Sequence, residues 1–377
     1  MDIHQLLQSA KAGGASDLHM VVSSPPMLRV NGWLQPADNL PPLTASDMEE
    51  AFTQITSAEQ RESFKQTMEL DFGYDIAGVG RVRCNAASQR GTISMVIRLL
   101  PAVIPSLEDM GLPEVCKELV MKRRGLVVVS GPTGSGKSTT LAAMINHLNH
   151  VEKRRLVTIE DPVEYVYENL NCTITQRELG SDTSSFAEAL RHVLRQDPDV
   201  ILIGEMRDLD TAAAALTIAE TGHLVLTTGH APSASQAVER IIDLFPPHER
   251  HLAQSQLASL LVGILCQALV PKADGTGRVA AIEIMLGNAA VKNLIREGKI
   301  FQLPNTIRMH TQQGMILLDQ ALTSLYQKGI INSESLYSFC NDREEVDKVL
   351  GGGEERRGGN NDNDNITKDT GTASGYF

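Results

Sequence analysis

Residues 131 to 138 read GPTGSGKS, three glycines followed by a lysine and a hydroxyl in the spacing G-x-x-x-x-G-K-[ST]. The stretch follows the apolar GLVVVS and precedes KSTTLAAMINHLNH, a strand-to-helix context. Glycines let such a loop turn its backbone N–H groups onto phosphate oxygens, a lysine reaches the β and γ oxygens, and a hydroxyl ligates magnesium. Gly131, Pro132, Thr133, Gly134, Ser135, Gly136, Lys137, Ser138 and Thr139 are therefore expected to bind ATP, with Ser138 also on Mg2+. The bland alternative is a glycine-rich turn before a helix, which the strand-to-helix context disfavours.

Hydrolysis also needs groups that orient water and take its proton. TIEDPVEY ends the next apolar run and presents Glu160, Asp161 and Glu164, which can divide base and metal-holding roles. In DPDVILIGEMRD the buried-strand run Val200 to Ile203 ends in Gly204-Glu205. A glutamate there, one methylene longer than aspartate, can reach the magnesium shell through a water. ETGHLVLTTGH sets His223 and His230 seven residues apart at the ends of one strand-like run. Odd spacing puts them on opposite faces of a regular strand, so one is expected to sense phosphate and the other to be structural. Arg83 and Arg98 lie on two strand-like runs further upstream, where forked guanidinium groups could reach a nucleotide held mainly by the second half of the chain.

These side chains need a sheet to bring them together. From about residue 114 strand-like and helix-like runs alternate: GLVVVS, KSTTLAAMINHLNH, RRLVTIE, SFAEALRHVL, DVILIGE, TAAAALTIAET, HLVLTTGH. That rhythm implies an α/β fold with a mostly parallel sheet. Ser185 and Glu188 are expected to form a capping box. More helices are expected afterwards, from SQLASLLVGILCQAL to MILLDQALTSLYQKG. Residues 1 to 99 read instead as a small α+β module: strands in SDLHMVV and PPMLRVNGWLQP, a hairpin at Asn31-Gly32, a capped helix in TASDMEEAFTQI, and two strands in GRVRCNAASQRGTISMVIRLL. The proline-rich segment 100–113 reads as a linker to the ATPase part at 114–350. The polar segment 351–377 reads as disordered, and its NNDNDN lacks the Gly and Glu of a calcium loop.

Composition narrows the classes of function. The 377 residues are 42% hydrophobic, enough for two cores, and contain no long apolar run and no signal-peptide-like start, so the expected location is the cytoplasm. Five singly scattered cysteines offer neither a disulfide framework nor a zinc site. A formal charge of -12 argues against nucleic acid as a partner.

GPTGSGKSTT, TIEDPVEY, DPDVILIGEMRD and TGHLVLTTGH, in this order, resemble the Walker A, Asp box, Walker B and His box of the secretion ATPases, where Walker B normally ends in Gly-Glu. GGASDLHM and AAVKNLIREGK narrow the resemblance to the type IV pilus retraction ATPases, the PilT-type twitching-motility motors, over about residues 1 to 345. The resemblance implies a PAS-like α+β N-terminal domain, a RecA-like P-loop NTPase domain, and a homohexameric ring with ATP and Mg2+ bound between domains. It implies that Glu164 is the general base, Glu205 the Walker B acid near Mg2+, Glu160 and Asp161 the rest of the Asp box, and His223 and His230 the His box. Arg83 and Arg98 would contact phosphate. ATP would be the sole small-molecule substrate, and the partners would be an inner-membrane pilus platform protein and the pilus machinery, met peripherally at the cytoplasmic face. The chain departs from the family in TTGHAPSAS, which keeps His230 in altered surroundings.

Three other functions are weighed against retraction. Pilus extension or type II secretion assembly ATPases usually carry an extra N-terminal domain and a four-cysteine zinc motif; an accessory retraction paralogue would share every box; a RecA-like nucleic-acid motor would want basic, aromatic stretches. The helix expected in AAVKNLIREGK, capped by Asn288 with Val291, Leu294 and Ile295 on one stripe, is not needed for nucleotide chemistry. Its resemblance to a retraction-motor stretch suggests a coupling role, in which truncating Leu294 or Ile295 would spare the fold.

Lys137→Ala should lower ATP hydrolysis by about 10²-fold or more, because the backbone cradle stays but its mobile cation is lost. Steady-state phosphate release checks this, and retention of more than about a tenth of the rate counts against the site.

Overall fold

The computed structural model describes residues 2–351 except 31, 38, 39, 101 and 102. Asn31 of the hairpin signal, Pro101 of the linker and the segment 352–377 read as disordered therefore lie outside the described residues.

Six antiparallel strands build the N-terminal sheet: β1 (Asp17–Met20), β2 (Met27–Val30), β3 (Trp33–Pro36), β4 (Glu69–Ile76), β5 (Gly80–Gln89) and β6 (Thr92–Leu99), in the order β3-β2-β1-β6-β5-β4. Val30 pairs with Trp33, so two residues connect β2 to β3, and Gly32 takes a φ of 87° as a tight hairpin requires. Alternation sends Val82, Cys84, Met95 and Ile97 inward, where they meet Met48, Phe52 and Ile55 of the helix Ala45–Ile55. That helix starts at a Thr44–Asp47 capping box. Arg81, Arg83 and Arg98 fall on the sheet's other face, Arg83 and Arg98 directly opposite in register.

Seven strands build the second sheet: β7 (Gly125–Ser130), β8 (Arg155–Glu160), β9 (Thr173–Glu178), β10 (Val200–Ile203), β11 (Leu224–Thr228), β12 (Leu261–Pro271) and β13 (Arg278–Leu286). Their order is β13-β12-β7-β11-β10-β8-β9, parallel throughout except for the β12–β13 pair. Every residue of β7, β10 and β11 is buried, as strands covered on both faces must be. The helices Lys137–Val151 and Leu209–Glu220 supply part of that cover. Residues 103–113, read as linker, are irregular, and Leu107 is buried in this second core.

Three expectations change. SQLASLLVGILCQAL is not one helix: the helix Arg250–Leu260 ends and β12 begins at Leu261. A continuous apolar run has no period to tell the two apart, and here β12 is buried between β7 and β13. The Ser185–Glu188 box is half formed: Ser185 Oγ accepts from the Glu188 N–H at 3.1 Å, but the Glu188 carboxylate turns to His192 at 2.9 Å. In the helix Ala289–Arg296, capped by Asn288, Val291 and Ile295 are fully buried while Leu294 is half-buried. Ile295 is thus a core position, where truncation to alanine costs about 2–5 kcal/mol.

Two buried side chains lock this sheet to what surrounds it. Glu283 on β13 accepts the first N–H of two helices, Ala234 at 2.7 Å and Leu318 at 3.3 Å. Gln267 on β12, 2% exposed, accepts from Thr140 Oγ1 at 2.7 Å and donates to the Ser135 carbonyl at 2.7 Å. Gln267→Leu should therefore cost about 1–3 kcal/mol for each of the two groups orphaned and weaken ATP binding with it. Thermal melts and nucleotide titrations measure both; an unchanged melting temperature would mean the bridge adds nothing.

Candidate functional site

The loop between β7 and the helix Lys137–Val151 has the cradle that the motif demands. Gly131, Gly134 and Gly136 have φ of 141°, 77° and 88°, values open to glycine. A Cβ at Gly131 would collide with the Gln267 carbonyl, and one at Gly136 would stand 2.9 Å from the Gln267 amide nitrogen. The loop delivers the helix's first-turn N–H groups, which have no partner inside the helix, to one point. Lys137 Nζ rests on the carbonyls of Gly131 at 2.8 Å and Pro132 at 3.1 Å. Burial pulls its pKa down, while the charges of Glu205 and Glu164 push it back up.

β8, β10 and β11 run parallel to β7 and end at the same edge, the ligand side of open parallel sheets. Glu160 is the last residue of β8 and is buried, bonded by Gln176 Nε2 at 3.2 Å. Burial pushes its carboxyl up to about 7. Asp161 is exposed. Gly204 at the end of β10 lets the chain pass close to β8, since a Cβ would stand 3.2 Å from Glu160 Cα and the Ile159 carbonyl. Glu205 follows, 2.8 Å from His230 Nε2 and 2.7 Å from Arg207 Nη2. Burial raises its pKa, yet these two partners outweigh it and hold the carboxylate below its usual range.

Glu164 is half-buried on the loop between β8 and β9, and among the described residues its carboxylate has no hydrogen-bond or ion-pair partner. The loop itself is fastened on all sides. Gln176 donates to the Tyr165 carbonyl at 2.8 Å and accepts from the Tyr167 N–H at 2.9 Å, and Tyr165 OH reaches Thr139 Oγ1 at 3.0 Å.

Lys137, Glu164, Glu205 and His230 are thus brought to one edge, and three expected residues are not. His223 precedes β11 at the far end of the sheet, with Nδ1 3.0 Å from Thr221 Oγ1 and 3.2 Å from the Ile218 carbonyl. Arg98 pairs with Asp17 at 2.9 Å inside the N-terminal sheet. Arg83 makes no side-chain hydrogen bond or ion pair among the described residues, and neither arginine meets the phosphate loop within this chain. Arg81, two positions along the same strand face, is the one that crosses to the second sheet. It donates to the Val163 carbonyl at 3.2 Å and pairs with Glu178. Alternation along GRVRCN marks Arg81 and Arg83 alike, so nothing in that stretch separates them. Arg207, in contrast, stands in the Walker B stretch itself.

A family model for type II/IV secretion system proteins matches residues 2–297. The chain belongs to this family. Within it, it is a PilT-type pilus retraction ATPase by likeness of sequence and structure. It is 45% identical over 335 residues to the type IV pilus retraction ATPase PilT of Pseudomonas aeruginosa, covering 89% of this chain and 97% of that one. It is 42% identical over 334 residues to the type IV pilus ATPase PilU of the same organism, covering 89% and 87%. A crystal structure of the pilus retraction motor PilT with bound ADP superposes with a TM-score of 0.87 at 40% identity, over 92% of this chain and 99% of that one. The family's mixed α/β architecture, a sheet domain before a parallel-sheet core, is the one described above.

The raised pKa of Glu160 has a consequence for stability. A carboxyl whose folded pKa of about 7 exceeds its ordinary 4.5 contributes fully below pH 4.5 and loses that contribution as pH rises through 7. Relative to Glu160→Gln, the wild type should lose up to about 3 kcal/mol across that window. Paired melts without nucleotide or magnesium test this, and a gap that stays constant with pH would rule it out.

Proposed function

We propose that the chain is an ATP-hydrolysing motor that works as a homohexamer to power type IV pilus retraction. The observation that carries this reading is the meeting of Lys137, Glu205, His230 and the unengaged Glu164 at one sheet edge, in a chain alike to PilT along nearly its whole length. Residues 131–139 hold the phosphates, and magnesium fits the hard oxygen donors Ser138 and Glu205. Magnesium usually takes one or two protein oxygens and leaves the rest of its shell to phosphate and water. When bound, it neutralises phosphate charge. Two domains, joined near residues 100–113, enclose the nucleotide.

Glu164 is the general base because its rivals are otherwise engaged. Glu160 is buried and its carboxylate is already bonded by Gln176, and Glu205, paired with Arg207 and His230 and held below its usual range, is a weak base suited to the metal. His230 senses the phosphate through Glu205, and His223 is structural. Arg83 and Arg98, on the outward face of the N-terminal sheet, supply phosphate contacts as the ring closes. No helix of the described residues is long and apolar enough to cross a membrane. The motor acts from the cytoplasm, docked on an inner-membrane platform protein of the pilus machinery, with the Leu294 face of the helix Ala289–Arg296 as a coupling surface.

Glu164→Gln should keep ATP affinity and lose about 10²–10⁴-fold in turnover, since the amide preserves shape but accepts no proton. Affinity falling in step with rate would make Glu164 a metal or nucleotide ligand. Identity of 42% to PilU favours a second reading, an accessory retraction motor. Complementing a retraction-deficient strain distinguishes the two: pili retract with this chain alone if it is the main motor, and only beside another retraction ATPase if it is accessory.

A further inference from the structure

Arg81 joins the two sheets at a telling point. Its Nε donates to the Val163 carbonyl at 3.2 Å, one residue before Glu164. Its Nη2 pairs with Glu178, whose carboxylate in turn accepts the Val163 N–H at 3.0 Å. The Arg81–Glu178 pair therefore holds both polar groups of a single residue, Val163. Its Nη1 reaches back to Asp75 at 2.7 Å, on the strand opposite Arg81 in the N-terminal sheet.

The neighbourhood is shaped for this crossing. Glu178 is 5% exposed and Arg81 16%, so the pair is shielded from water and from screening. Gly73 lies beneath the guanidinium: a Cβ there would stand 2.5 Å from Arg81 Nη2 and 3.0 Å from Glu178 Oε1. Arginine suits the task because its planar fork serves several acceptors at once, where a lysine is a point charge. On the far side Tyr165 OH donates to Thr139 Oγ1 of the phosphate-loop helix at 3.0 Å.

We infer that Arg81 is a positioning residue through which the N-terminal sheet holds Glu164 at its working distance from the phosphate loop. The inference rests on Glu164 being the general base. Movement of the N-terminal sheet is transmitted to the base through one guanidinium, so turnover depends on where that sheet sits even when nucleotide binding does not. Arg83 and Arg98, which have no such contact in this chain, take no part in holding Val163.

Full-length Arg81→Ala should lower kcat about tenfold or more while KM for ATP stays within about twofold, as expected of a displaced catalytic group. Since the alanine leaves Glu178 buried without a cation, two milder variants accompany it. Gly73→Ala pushes the guanidinium aside and keeps its charge. Arg81→Lys keeps a cation for Glu178 but not the fork. Both should melt near the wild-type temperature and still show the kcat defect. Full recovery of kcat in Arg81→Lys would reduce Arg81 to a charge partner and overturn the proposal.

Coupling to the base is read in the Glu164→Gln background by single-turnover hydrolysis. There Arg81→Ala should cost nothing further, because the group it positions is already disabled. Equal losses in the two backgrounds would overturn the route through Glu164 alone. A wild-type rate in Glu164→Gln by itself would instead remove the base assignment on which the route depends.

Discussion

One buried carboxamide, that of Gln267, holds the phosphate loop in its shape. Glycines free a loop to turn its N–H groups toward an anion, but the same freedom lets it collapse or wander. Gln267 answers this by engaging the loop at Ser135 and the following helix at Thr140, while its own backbone crowds Gly131. The strand that carries it is parallel to β7 and antiparallel to β13, so the loop is anchored to a layer stiffened from both sides. Everything else at the sheet edge takes its position relative to that fixed cradle.

Around it, burial and partners give three glutamates three electrostatic characters. Glu160 is enclosed by protein and leans toward neutrality near pH 7. Glu205 is only partly enclosed and has two cationic or ionisable partners, so it stays charged. Glu164 has water on one side and no ion-pair partner among the described residues. One chemical group thus takes three electrostatic characters, and the division follows from desolvation against local charge.

The chemistry was more legible in the sequence than the architecture that aims it. Lys137, Glu205 and His230 stand in short motifs whose spacing follows from one strand end meeting a phosphate, and these are local facts. The hairpin turn at Gly32 and the Thr44 helix start were legible for the same reason. β12 was not, because a strand buried on both faces displays no period. Nor were β9 and β13, although each pairs with the strand just before it in the chain. Arg81 escaped notice in favour of Arg83 and Arg98 because all three share a face, and only the three-dimensional placement of Glu178 and Val163 singles one out. Ile295 was legible as apolar but not as core, a distinction that depends on which neighbours cover it.

Glu283 shows how far the C-terminal helices are built into the enzyme. A single carboxylate on β13 starts both the helix that follows the His box and the helix Leu318–Gln327, whose Asp319 in turn accepts the Asn341 and Asp342 N–H groups at 2.7 and 2.9 Å. Helix starts, usually satisfied by a residue next door in the chain, are here satisfied across it. The segment beyond β13 is therefore no interchangeable appendage. A chimera that grafted a relative's C-terminal helices onto this sheet would inherit a shared acceptor and would have to match its reach, so exchange of parts between such motors is constrained to units that include β13 itself.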